Sequence, residues 1–151
     1  MERRGARSAT RQSEAPHLRA STRQALRRDA AQILAAGLRA ADPEQLVGQN
    51  LSVGDGLITF AGQTIPSPLG RIVFLAVGKA AYRMAAAAAK ALGERLDEGL
   101  SIGPDEDPGY LARFRRVRVR VASHPLPDTR GLAAASEAEK LALGLGSKDL
   151  L

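Results

Sequence analysis

Apolar positions along this chain change their spacing several times, and each change predicts an element. Leu26, Ala30, Ile33, Leu34, Gly37, Leu38 and Ala41 recur at three-and-four spacing, with Arg27, Arg28, Gln32 and Arg39 on the other side. That is an amphipathic helix beginning near Ser21. Asp42-Pro43-Glu44 restarts the helix, with Asp as N-cap and Pro at the first helical position, so a short second helix is predicted to about Gly48. From Asn50 to Ile65, short apolar runs alternate with Gly54-Asp55-Gly56 and Ala61-Gly62, which predicts a small β-hairpin ended by Pro66 and Pro68.

The period then disappears. Arg71 to Val77 reads RIVFLAV, a nearly unbroken apolar run of strand length, as in a strand buried on both faces of a parallel sheet. Gly78-Lys79 and an alanine-rich segment, Ala80 to Leu92, follow at once and end at Gly93. Strand, tight glycine turn and helix form the first half of a crossover unit. Strands are predicted again at Gly99–Ile102 and Arg115–Ala122, a helix from Thr129 to about Leu145, and the opening of another strand at Lys148–Leu151. The order predicts an α/β fold: a three-layer, Rossmann-like domain with a mostly parallel sheet, an N-terminal helix and a small β-hairpin. Residues 21–151 form that domain, whose sheet is expected to stop short at its C-terminal end. Residues 1–20, rich in Arg, Ser and Thr and poor in large apolar side chains, are expected to be a disordered basic tail.

Charge adds less than its total suggests. The chain of 151 residues carries 22 Lys and Arg against 16 Asp and Glu. Residues 1–30 hold eight arginines against Glu2, Glu14 and Asp29, so residues 31–151 balance 14 basic against 13 acidic groups. The body is nearly neutral, and aromatic residues make up only 3% of the chain, which argues against nucleic acid as a partner. With no cysteine and only two histidines, His17 and His124, thiolate and imidazole metal sites are not expected. No apolar run is long enough to span a bilayer and no signal-peptide core follows the arginines, so a soluble, cytoplasmic chain without membrane partners is expected.

Three places invite chemistry. Lys79 follows Gly78 at the carboxyl end of the apolar strand, where the next helix presents N–H groups and the positive end of its dipole; a lysine there suits anions or transferring phosphoryl groups. His124, in Ser123-His124-Pro125-Leu126-Pro127-Asp128, falls at another carboxyl edge, with Asp128 or Thr129 placed to cap the next helix. Arg116, Arg118 and Arg120 alternate with Val117, Val119 and Val121, as on an edge strand guarded by charge. Asp105-Glu106-Asp107, between Pro104 and Pro108, reads as a solvated loop rather than a cation site.

Together these landmarks resemble the N-terminal domain of the class II glycerate kinases, a MOFRL-type family of glycerate 2-kinases, some members of which bear the older label hydroxypyruvate reductase. The resemblance rests on Leu26-Arg27-Arg28-Asp29-Ala30, Ala40-Ala41-Asp42-Pro43, Arg71 through Ala81 with Met84-Ala85, and Ser123 through Asp128. It implies an enzyme that transfers the ATP γ-phosphoryl group, with Mg²⁺, to D-glycerate. It further implies that Lys79 is catalytic, that Gly78, Ala80, His124 and Asp128 line the substrate- and phosphate-binding cleft, and that no residue of this segment is a dedicated metal ligand. The family pattern has glycines where this chain has Ala76-Val77 and Ser123, a Lys-Tyr-Gly stretch where it has Gly103 to Pro108, and a later glycine-rich loop and C-terminal domain as partners in catalysis. The resemblance thus implies a fragment inactive by itself; the alternative is a non-catalytic α/β binding module or pseudoenzyme remnant.

Overall fold

The computed structural model describes residues 16–104 and 109–151. Residues 1–15 of the expected tail, and the acidic stretch 105–107, lie outside the described residues. The chain divides into two units, Met1–Arg39 and Ala40–Leu151.

In the first unit, α1 (Pro16–Ala40) starts five residues before the periodic pattern, at a proline whose fixed φ suits a first helical turn. The second unit opens with α2 (Pro43–Asn50), capped by Asp42, whose side chain accepts from the N–H groups of Glu44 and Gln45. The expected small hairpin segment forms a three-stranded antiparallel meander: β1 (Leu51–Gly54), β2 (Leu57–Phe60) and β3 (Gln63–Pro66). Its two turns use Asp55-Gly56 and Ala61-Gly62, all at positive φ, the conformation that tight hairpin turns require.

The second sheet is parallel, in the order β4 (Val73–Val77), β5 (Glu98–Gly103), β6 (Val117–Val121). Its two faces are covered by different helices. Phe74 and Ala76 of β4, with Val117 and Val119 of β6, pack toward α3 (Ala81–Leu92) through Tyr82, Ala85, Ala86, Ala89 and Leu92. Val73, Leu100 and Ile102 pack toward Ala134, Ala138 and Leu141 of α4 (Thr129–Leu143). The expected three-layer α/β arrangement is therefore present. On the α3 side, β5 offers only Gly99, Ser101 and Gly103; a Cβ at Gly99 would meet the Phe74 ring at 2.5 Å and one at Gly103 the Tyr82 ring at 2.6 Å. These glycines make room for the two largest side chains of that layer.

The chain returns from α4 to the outer side of β4. Leu150 forms a parallel bridge with Ile72, and Arg71 binds Asp149 by both its N–H and its guanidinium. Beyond this bridge the outer edge of β4 is open, with Leu75 38% and Val77 66% exposed.

The arginines of β6 are not freely solvated, as the alternating pattern alone suggested. β6 is indeed the outer strand of its sheet, but Arg118 pairs with Glu98 and Glu137, and Arg120 donates to Glu137 at 2.6 Å. The charge on this strand fastens α4 to the sheet.

Candidate active site

Because the strands are parallel, their carboxyl ends lie on one side, and each leads into a turn there. β5 and β6 lie to one side of β4, whereas the returning Leu150 segment lies to the other. The order therefore reverses at β4, and in open parallel sheets ligands bind in the crevice at the carboxyl ends where this happens. Gly78, Lys79 and Ala80 occupy that place.

Gly78 has φ 114, a conformation reserved almost entirely for glycine. Its N–H does not face the crevice: it donates to the carbonyl of Ile102 at 2.9 Å, and its own carbonyl accepts from Ala81 at 3.1 Å. Gly78 is thus the pivot of the turn, tying it to the end of β5, and it has no free donor for a phosphate. The free donors are the N–H groups of Lys79 and Ala80, which have no partner among the described residues. Ala80 is the N-cap of α3 and supplies no side-chain cap, so no side chain of the cap residue offsets the positive end of that helix. The Lys79 side chain is exposed and forms no ion pair among the described residues. Two backbone donors, an ammonium and a helix dipole suit an anion.

His124 and Asp128 stand two strands away, at the carboxyl end of β6, about 10 Å from the β4 end by strand spacing. His124 is exposed, in a loop whose His124–Pro125 peptide is cis. Asp128 caps α4, as its place before the helix led one to expect. Its carboxylate takes the Arg130 Nε at 2.7 Å, the Gly131 N–H at 3.0 Å and the Ser123 N–H at 3.4 Å. It caps α4 and closes the loop, and the Arg130 guanidinium, followed by the Gly131 N–H, holds its carboxyl below the usual value. No pair of its oxygens is left facing the crevice unpartnered.

Tyr82 belongs to no motif that sequence reasoning singled out. It is buried in α3 and its hydroxyl donates to the carbonyls of Pro104 at 3.0 Å or Arg120 at 3.2 Å, so it ties the ends of β5 and β6 to the helix that follows the Lys79 turn. The signal was available: one large aromatic in the first turn of an alanine-rich helix needs a partner for its hydroxyl. Arg83, one residue on, ties α3 to α2 through Asp42 at 2.6 Å. Among the described residues no three His, Cys, Asp or Glu side chains gather to hold a metal ion. Nor is any described helix long and apolar enough to cross a membrane.

Residues 29–151 match the model of a domain of unknown function, DUF4147. The chain belongs to this family. Glycerate 2-kinase of Pyrococcus horikoshii is 32% identical over 101 residues, 67% of this chain and 22% of that protein. A protein of Agrobacterium vitis named as a hydroxypyruvate reductase is 32% identical over 131 residues, 87% of this chain and 25% of its own length. Among solved structures, the PH0495 protein of Pyrococcus horikoshii superposes with a TM-score of 0.69 at 27% identity, over 82% of this chain and 27% of that one. Glycerate kinase of Thermotoga maritima superposes with a TM-score of 0.62 at 25% identity, over 83% and 27%. The DUF4147 chain thus spans about a quarter of the length of these relatives, and its resemblance to the N-terminal domain of glycerate kinases is borne out.

Proposed function

We propose that this DUF4147 domain is the N-terminal part of a glycerate 2-kinase-type phosphotransferase, in which the γ-phosphoryl group of ATP passes to a hydroxyl oxygen of D-glycerate. The observation that carries this reading is the reversal of strand order at β4, which sets the Gly78-Lys79 turn at the crevice where an open parallel sheet binds its ligand. In this role the Lys79 ammonium offsets the charge that grows on the transferred group, and the N–H groups of Lys79 and Ala80 fix a phosphate or the glycerate carboxylate. Gly78 contributes shape alone, since its N–H is bound to Ile102. His124 lines the far side of the cleft, and Asp128 supports it as the cap that holds the loop. Mg²⁺ would be held largely by the nucleotide phosphates and by groups outside the described residues, and would neutralise charge on those phosphates.

Donors for the remaining phosphate oxygens are expected from the other three-quarters of a family-length protein, so the chain alone is expected to be inactive. The test joins this chain to that remaining part and measures ATP-dependent phosphorylation of D-glycerate. The completed enzyme is expected to turn over, and Lys79→Ala to lower kcat by about 100-fold or more, the scale of losing one electrostatic donor. Normal turnover by the Lys79→Ala enzyme contradicts the role given to Lys79. Failure of the completed, folded enzyme to phosphorylate glycerate would favour the non-catalytic binding module instead.

A further inference from the structure

A second concentration of positive charge lies at the opposite end of the parallel sheet. Lys90 near the end of α3, and Arg113, Arg115 and Arg116 just before β6, surround a groove of about 530 Å³ with Phe114 in its wall and Glu94 as its one carboxylate. It lies some 18 Å from Lys79, the length of the 12-residue α3. Residues 31–151 carry 14 basic and 13 acidic groups, so a groove with four cations and one anion holds more than the whole excess of that segment.

The other arginines of the sheet and its helices are engaged. Arg71, Arg83, Arg118, Arg120 and Arg130 all pair with carboxylates. Lys90, Arg113 and Arg115 pair with none among the described residues. Two of the guanidiniums are already held in place. Arg116 donates to the carbonyls of Glu94 and Leu96, both at 2.7 Å, and pairs with the Glu94 carboxylate at 3.1 Å, which leaves Lys90, Arg113 and Arg115 as the groove's unpaired cations among the described residues; the Arg113 guanidinium lies over the Phe114 ring, 4.9 Å from its centre. Cations fixed in this way lose less freedom when an anion arrives. The volume is that of a small-ligand site rather than a track for a long polymer, and guanidinium forks match phosphate oxygens.

We propose that this groove binds a small organic polyphosphate, a di- or triphosphate, at a site separate from the Gly78-Lys79 turn. Calorimetric titration of the whole chain with sodium tripolyphosphate at low salt tests it. Two binding events are expected, one at each site; the one assigned to the groove is expected to weaken as salt rises, to persist in Lys79→Ala, and to weaken about tenfold or more in Arg113→Glu/Arg115→Glu. Arg113→Lys/Arg115→Lys, which keeps the charge and loses the forks, is expected to fall between. Circular dichroism identifies any variant that has failed to fold, and the lysine pair then carries the comparison. Unchanged binding in the folded charge-reversed variant overturns the proposal, as does loss confined to Lys79→Ala, or citrate bound as tightly as tripolyphosphate.

Discussion

The turn after β4 and the turn after β6 begin alike, each following a five-residue parallel strand and leading into a helix. They differ in where their polar groups go. After β6, Asp128 satisfies the N–H groups of Gly131 and Ser123 and the Arg130 side chain, so the start of α4 is closed by the protein itself. After β4, an alanine occupies the cap position, and the N–H groups of Lys79 and Ala80 are left without partners among the described residues. One turn is built for stability and the other leaves donors for something outside the chain. Two motifs of similar prominence in the sequence thus differ once their hydrogen bonds are traced: one turn's donors are satisfied by the chain, and two of the other's are not, among the described residues.

The sharpest way to break this contrast is to truncate both turns and follow thermal unfolding. Asp128→Ala should lower Tm by several degrees, because it removes a helix cap and the anchor of the Ser123 loop together. Lys79→Ala should leave Tm where it is. Equal shifts in the two variants would erase the distinction. A smaller effect is expected at Gly78, where a Cβ meets nothing within 4 Å but φ is +114. Gly78→Ala should cost about 1–2 kcal/mol in urea unfolding, all of it conformational; no cost would mean that the turn readily takes another shape.

The smallest effect is in pH. The Asp128 carboxyl is held below its ordinary value of 3.8 by Arg130 and the Gly131 N–H. Its contribution to stability is therefore fully present above the ordinary carboxylate range and is lost as pH falls through the depressed value. Asp149, lowered to about 2 by the N–H groups of Gly146 and Arg71, acts in the same direction further down. Asp128→Asn should flatten part of the decline in urea midpoint between about pH 5 and about pH 3. An unaltered slope would show that the carboxylate is not engaged in solution.

Much of this was legible in the residues. The apolar run at Arg71–Val77 announced a strand, though not that Leu75 and Val77 stand exposed on one of its faces, and Asp42-Pro43 and Asp128 announced helix starts, because those signals are local. What escaped the sequence depends on distant partners. Arg118 and Arg120 looked like solvated edge charges, since Glu137 lies on a different element. Gly78 looked like a phosphate donor, and only the parallel pairing with β5 shows that its N–H is spent on Ile102. Tyr82 carries no motif, yet it joins three elements at the rim of the crevice.

The central claim, that the Lys79 turn is the anion-binding end of this DUF4147 domain, is tested most directly by residue-resolved NMR of the chain during titration with ATP. The account predicts that the amide resonances of Lys79 and Ala80 move and saturate with nucleotide, while that of Gly78, bound to Ile102, moves less, and that Lys79→Ala weakens the response. Resonances of Lys79 and Ala80 that stay in place at saturating ATP would contradict it.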